Sequence, residues 1–147
     1  MSSKVVPQLE QSVQNSPAFT RHVWVMAVFC VYAAVLLMMT HWPRLEVPGP
    51  TGTDKLLHIL AFGGWCGLFT VCGWFGRPLS DANLLRSCVV AAAYGALDEG
   101  LQGLEWIQRS CEWADLGANL TGVVGVTTVL LILRAPLSRH FPRLLPT

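Results

Sequence analysis

The sequence predicts an all-α membrane protein in which four transmembrane helices form a small bundle. Of 147 residues, 52% are hydrophobic and 13% are charged, whereas soluble domains carry about 25% charged residues. The mean hydropathy is +0.46, and the apolar residues are gathered into long runs separated by polar or Pro/Gly-containing turns. A chain of this length is expected to form one domain. The net charge of +1 gives no reason to expect nucleic acid as a partner.

The first apolar run follows a polar N-terminal segment. Residues 1–21 offer little to bury and are predicted to be a disordered cytoplasmic tail. The first span is predicted at about 22–42, because a run of about 20 apolar residues is needed to cross the hydrocarbon core. Trp24 and Trp42 lie near its two ends, as is typical of membrane interfaces. Residues 40–53 contain prolines and glycines and are predicted to be a loop.

The second span is predicted at about 54–75. Asp54 is a candidate N-cap, because negative charge is favourable at a helix N-terminus. His58 follows one turn later on the same face. Gly63 and Gly67 form a G-x-x-x-G pair, which allows another helix to approach closely.

The third span, predicted at about 84–104, carries acidic residues toward its end. Its uncharged part, residues 87–97, is too short to cross a membrane alone. Asp98, Glu99 and Gln102 follow it directly. An acid at the centre of a membrane helix costs roughly 3 kcal/mol, so a position nearer the interface is favoured. Acids within spans are by default a functional-site hypothesis.

The fourth span is predicted at about 113–133, and polar residues mark its start. Glu112, Asp115 and Asn119 follow a spacing that places them on one face of a helix. From residue 134 the chain is basic and contains proline, so 134–147 is predicted to be a basic cytoplasmic tail.

Small residues at helical spacing predict where the helices pack together. Ala92, Ala96 and Gly100 repeat every fourth residue and predict that the third helix packs centrally. Five glycines are predicted to be packing residues: Gly63, Gly67, Gly117, Gly122 and Gly125.

Basic residues in the flanks predict the orientation, since cytoplasmic loops carry an excess of Lys and Arg. Seven lie on the side of both termini and three on the other: Lys4, Arg21, Arg77, Arg86, Arg134, Arg139 and Arg143 against Arg44, Lys55 and Arg109. Both termini are therefore predicted to be cytoplasmic. At 1.5 Å per residue, His58 lies roughly 6 Å, and Asp98 and Asn119 about 9 Å, inside their helix ends. Three spans thus bring polar groups to one depth near the extracytoplasmic face.

The order of these polar residues resembles the VanZ-like family. The matching positions are Asp54, Lys55 and His58; Asp98, Glu99 and Gln102; and Arg109, Glu112, Asp115, Asn119 and Gly122. The resemblance covers residues 54–133, and Glu99 is a firmer match than Asp98. It implies a small multi-pass protein of the bacterial cytoplasmic (inner) membrane. The founding member is associated with low-level resistance to the glycopeptide teicoplanin, so the expected ligand is an envelope lipid or a glycopeptide-related molecule.

Three functions remain open for the polar residues. In the first, the protein binds or modifies an envelope-related ligand; in the second, it is a hydrolase or transferase acting on a lipid-linked substrate. In the third, it is a structural or accessory subunit, and a homo-oligomer fits a minimal bundle. Candidate catalytic residues are Glu99, His58 and Asp98, and candidate binding residues are Lys55, Gln102, Arg109, Glu112, Asp115 and Asn119. For each of these residues, the alternative to a functional role is a structural one, in ion pairs or hydrogen bonds between helices. Neither a metal-ligand set nor a cofactor motif is recognisable.

Overall fold

The computed structural model describes residues 17–42, 50, 52–104, 107 and 111–140, and every regular element within them is a helix. The four helices are α1 (Pro17–Thr40), α2 (Thr53–Cys72), α3 (Asp81–Gln102) and α4 (Trp113–His140). The predicted all-helical architecture is confirmed for this part of the chain. Three segments are long and apolar enough to cross a membrane: His22–Thr40, Thr53–Cys72 and Trp113–Leu137.

Two helices extend beyond the predicted spans. α1 begins at Pro17, inside the segment predicted to be a disordered tail. Proline is tolerated in the first turn of a helix, because its missing N–H would have no partner within the helix there. α4 continues to His140 and includes Pro136, so the predicted tail from residue 134 begins as helix. The basic residues that suggested a tail are good helix formers and do not end a helix.

The ends of α2 are set by glycine rather than by the predicted capping residue. The N-cap is Gly52, with φ of 92°, and Asp54 lies in the first turn instead. The prediction that Asp54 caps the helix is therefore wrong, although its charge still lies at the favourable end. Gly73 ends the helix with φ of 69°, a left-handed conformation that glycine adopts without steric cost.

The α2–α3 connection is held by one buried side chain. Asn83 donates hydrogen bonds from Nδ2 to the carbonyls of Thr70 and Pro78, both at 2.8 Å. Its Oδ1 accepts from the backbone N–H of Phe75 at 3.1 Å. Ser80 is the N-cap of α3 and accepts from the backbone N–H of Asn83. One asparagine therefore closes the turn and fixes the start of α3.

α2 and α4 approach each other most closely through glycines. A Cβ at Gly63 would lie 3.1 Å from the carbonyl oxygen of Gly122, and a Cβ at Gly122 would collide with the carbonyl of Ile59. A Cβ at Gly67 would lie 3.3 Å from Val126. These contacts confirm three of the predicted packing glycines.

Of the other predicted packing positions, Ala92 packs against the core. A Cβ at Gly117 or Gly125 would meet no atom of the described chain within 4 Å, so neither glycine makes a close helix contact there. In α3, Ala96 and Gly100 are exposed, and the buried face instead carries Leu84, Asn83, Ser87, Ala91, Gly95, Asp98, Glu99 and Gln102. The predicted packing positions Ala96 and Gly100 therefore lie outside the face of α3 that is buried against the other helices.

The apolar core draws on all four helices, with Val123 contributed by α4, and lies below their polar ends. Its buried side chains include Phe29, Phe62 and Trp65. The ring of Trp65 stacks on Tyr94 with centroids 4.8 Å apart and meets Phe29 edge-on at 5.3 Å. Aromatic pairs of this geometry stabilise a core beyond the area that they bury. The core fixes the rotation of the helices about their axes, and so the direction of the polar residues above it.

Candidate functional site

Polar side chains from all four helices meet at one end of the bundle. The ends of α1 and α3 lie there together with the starts of α2 and α4. We call this group the polar cup; its members are Thr40, His41, Asp54, Lys55, His58, Asp98, Glu99, Gln102, Glu112, Asp115 and Asn119. The structure thus brings together the polar residues that the sequence placed on three separate spans. Arg109, which was predicted to bind ligand, lies outside the described residues.

Lys55 joins α2 to the start of α4. Its Nζ lies 2.8 Å from Asp54 Oδ2 and 3.2 Å from Glu112 Oε2, and it also contacts Asp115. A single ammonium therefore balances three carboxylates. The predicted role of Lys55 as a binding residue needs a phosphate or carboxylate to compete with these three acids.

The hydrogen bonds around His58 fix its tautomer. Nδ1 lies 2.8 Å from Asn119 Oδ1, and Asn119 Nδ2 donates to the carbonyl of Gly95 at 3.4 Å. Because the Asn119 amide nitrogen is directed at a carbonyl, its oxygen is the atom that faces His58. The neutral imidazole then carries its hydrogen on Nδ1, and Nε2 is left as the basic nitrogen. This bond joins α2 to α4, the kind of contact between helices that the sequence left open as the structural alternative for His58.

Asp98 is fully engaged by its neighbours. Thr40 Oγ1 donates to Oδ1 at 2.8 Å, and Gln102 Nε2 donates to Oδ2 at 2.9 Å. His41 Nδ1 lies 3.5 Å from Oδ1. The residue is only 1% exposed, so burial and bonding agree with a role in joining α1 to α3. Gln102, which was predicted to bind ligand, donates its side-chain amide hydrogen to Asp98.

Unlike Asp98, Glu99 has a hydrogen-bond donor in the described chain for only one of its two carboxylate oxygens. Oε1 accepts from the backbone N–H of Glu112 at 2.7 Å. Oε2 is buried and has no hydrogen-bond partner within the described part of the chain, and the residue is 2% exposed. Buried polar atoms in folded proteins nearly always have a partner, and an exception calls for an explanation.

The contribution of α1 was missed by the sequence reasoning. Thr40 and His41 follow an uncharged run and precede a proline-containing loop, so nothing in the pattern distinguished them from a span end. A threonine hydroxyl at the end of an apolar helix, at the same end of the bundle as a buried acid, is the only available signal.

An apolar groove between α1 and α2 opens beside the polar cup. It encloses about 470 Å³, and its walls include Leu36, Ala61 and Phe62. At one end it reaches Thr40 and His58, which are members of the cup. Volumes of about 300–1,000 Å³ are typical of small-molecule sites in proteins.

The described part of the cup contains more carboxylates than ammonium groups. Five carboxylates lie in it, those of Asp54, Asp98, Glu99, Glu112 and Asp115, against the single ammonium of Lys55. The described residues contain no group of three or more His, Cys, Asp or Glu arranged to hold a metal ion. Comparison with protein-family models, with curated proteins and with solved structures finds no match to this chain.

Proposed function

We propose that the chain is a VanZ-like protein of the bacterial cytoplasmic membrane that binds or modifies an envelope-related ligand in its polar cup. In this proposal α3 also crosses the membrane, as the third of four spans, both termini are cytoplasmic and the cup lies near the extracytoplasmic face. The 22 residues of α3 extend about 33 Å, enough to cross the hydrocarbon core. Its exposed positions include Leu85, Val89 and Leu97, as expected of a helix that faces lipid.

The unpaired oxygen of Glu99 carries the functional part of the proposal. A network that only joins helices is stable when each buried polar atom is paired, and Asp98 meets that condition. Glu99 does not, since Oε2 is buried without a partner among the described residues. An acceptor held in this way suits a ligand that donates a hydrogen bond or a proton. His58 Nε2 is a second acceptor in the same cup, and the pair is suited to proton transfer.

A structural role is the second candidate, and it is favoured by the contacts between helices. Thr40 joins α1 to α3 through Asp98, while Lys55 and His58 join α2 to α4. These bonds connect all four helices at one end. A protein that only needed this connection would lose stability and function together when the cup is altered.

Substitution of adjacent acids separates the two candidates. Glu99→Gln keeps the acceptor for the Glu112 N–H and removes only the charge. We expect normal membrane abundance and an unchanged melting temperature, with loss of the protection that the wild-type chain gives against teicoplanin or another envelope-directed antibiotic. Asp98→Asn is the control: one accepting oxygen becomes an amide nitrogen, so either Gln102 loses its acceptor or Thr40 must reverse its hydrogen bond, and abundance and melting should fall.

Two results would contradict the proposal. If Glu99→Gln lowers abundance and melting as much as Asp98→Asn does, the cup is a structural connection. If cells that express the wild-type chain are no less sensitive to envelope-directed antibiotics than cells that lack it, the envelope role fails.

A further inference from the structure

The groove between α1 and α2 is polar at one end only. From the cup it runs along Thr40 to Tyr32 on α1 and Asp54 to Phe62 on α2, nine residues on each helix, whose first and last are about 12 Å apart. At the far end the Tyr32 hydroxyl donates to the carbonyl of Ala61 at 2.8 Å, so its hydrogen is already used. The walls between these ends are apolar.

One side of the groove is open. Met39, Leu57 and Leu60 lie on its rim and are exposed, whereas Leu36 and Phe62 are buried on its floor. Both helices belong to segments able to cross a membrane, so the open side would face lipid. An occupant can therefore enter sideways from the bilayer.

The size of the groove favours a hydrocarbon chain over a partner helix. A membrane-spanning partner helix is about 30 Å long, whereas the groove runs for about 12 Å between the cup and Tyr32, so such a helix would extend well beyond it. A single acyl chain is thinner, and needs no hydrogen-bond partner along the apolar walls.

The charge of the cup indicates which kind of lipid headgroup would bind beside the acyl chain. Asp54 lines the groove with a side chain that is 47% exposed, and Glu99 has one oxygen without a partner among the described residues. Lys55 already contacts Asp54, Glu112 and Asp115. A headgroup that brings an ammonium complements this excess of acceptors, whereas an anionic headgroup would have to displace the acids from Lys55.

We propose that the groove holds one acyl chain of a membrane lipid with an ammonium headgroup, of the phosphatidylethanolamine class, and that this headgroup lies in the cup. The inference rests on the proposed ligand-binding role of the cup and names its ligand class. His58 and Asp54 line the groove where chain and headgroup would join.

Photolabelling of the full chain in vesicles tests the proposal. The bilayer would be phosphatidylglycerol with a small fraction of phosphatidylethanolamine that carries a diazirine in one acyl chain, and labelled residues would be mapped by mass spectrometry. We expect saturable labelling of Leu36, Ala61 and Phe62 that unlabelled phosphatidylethanolamine removes. Bulk lipid should label exposed positions such as Ile132 without saturation. Labelling confined to exposed positions would overturn the proposal.

A second probe tests the headgroup. The phosphatidylethanolamine probe and a phosphatidylglycerol with the same diazirine chain would each be placed in phosphatidylcholine vesicles, and the phosphatidylglycerol probe should label the groove floor several-fold less. Equal labelling by the two probes would contradict selection of an ammonium headgroup.

Variants of the groove supply matched controls. Ala61→Phe should fill the groove and remove most of the floor labelling, and Leu57→Trp should do so from the rim without disturbing a buried position. Ala93→Phe, at an exposed alanine of α3, should have no effect. If the floor is never labelled but Glu99→Gln still abolishes protection, the lipid inference fails and the function of the cup stands. If the floor is labelled but Glu99→Gln protects like wild type, the chain site stands and the function of the cup fails.

Discussion

Replacement of Lys55 by methionine measures how strongly the polar cup depends on its ammonium. Methionine keeps a long unbranched side chain, so packing along the stem is largely retained. What is lost is the contact of Nζ with the carboxylates of Asp54, Glu112 and Asp115. Three acids then face one another without the cation that joined them.

The size of the effect follows from the exposure of each partner. The Asp115 side chain is 12% exposed, and breaking a buried ion pair costs about 3–5 kcal/mol. Asp54 and Glu112 are about half exposed; the Glu112 pair adds at most about 1 kcal/mol, and solvent screens the Asp54 contact. Because Lys55 itself is 32% exposed, solvent screens the Asp115 pair as well. We expect Lys55→Met to lower the free energy of unfolding by about 2–4 kcal/mol.

The ion pair of Asp81 with Arg134 at the opposite end of the bundle is the control. Asp81 is 77% exposed, so Asp81→Asn should cost less than about 1 kcal/mol. Unfolding of the purified proteins in mixed micelles, followed by tryptophan fluorescence at low and high salt, gives both values. High salt should abolish the Asp81 effect and preserve most of the Lys55 effect. A Lys55→Met protein within about 1 kcal/mol of wild type would show that the ion pairs of Lys55 do not hold this end of the bundle together.

Three further substitutions test other parts of the structure. Gly122→Ala should destabilise the protein by at least about 1–3 kcal/mol, because its Cβ collides with the α2 backbone, whereas Gly125→Ala should be neutral or slightly stabilising; equal melting temperatures would contradict the α2–α4 contact. Asn83→Ala should cost about 1–3 kcal/mol for each buried group left unpaired, and a wild-type denaturation midpoint would show that the turn does not depend on it. His58→Asn retains a short amide donor toward Asn119 but lacks the Nε2 base, so protection should be lost with little change in melting; full protection would exclude Nε2 from the function.

The meeting of the polar residues could be predicted from the sequence, because it depends only on helix direction and rise per residue. Alternating spans bring the start of α2, the end of α3 and the start of α4 to one end. The distances of His58, Asp98 and Asn119 from their helix ends then follow from 1.5 Å per residue. The bond between His58 and Asn119 is a direct result of that geometry.

The rotation of each helix could not be predicted in the same way. Gly122 and Gly125 are alike in sequence, yet the first lies against Ile59 and the second meets open space. Which face of α4 turns inward is decided by the whole interface with α2, and the apolar pattern of a membrane helix is nearly uniform around its axis. For the same reason, packing contacts of α3 were predicted at Ala96 and Gly100, which are exposed.

The rotation of α3 gives the adjacent acids Asp98 and Glu99 different surroundings. Successive residues of an α-helix are about 100° apart around its axis, so the two acids face different neighbours. Asp98 faces the end of α1, where Thr40 and Gln102 satisfy both of its oxygens. Glu99 faces the start of α4, where only one oxygen finds a donor in the described chain. The sequence places two adjacent acids side by side, but the packing pairs both oxygens of Asp98 and leaves one oxygen of Glu99 without a donor in the described chain, which is the atom that the proposed ligand would meet.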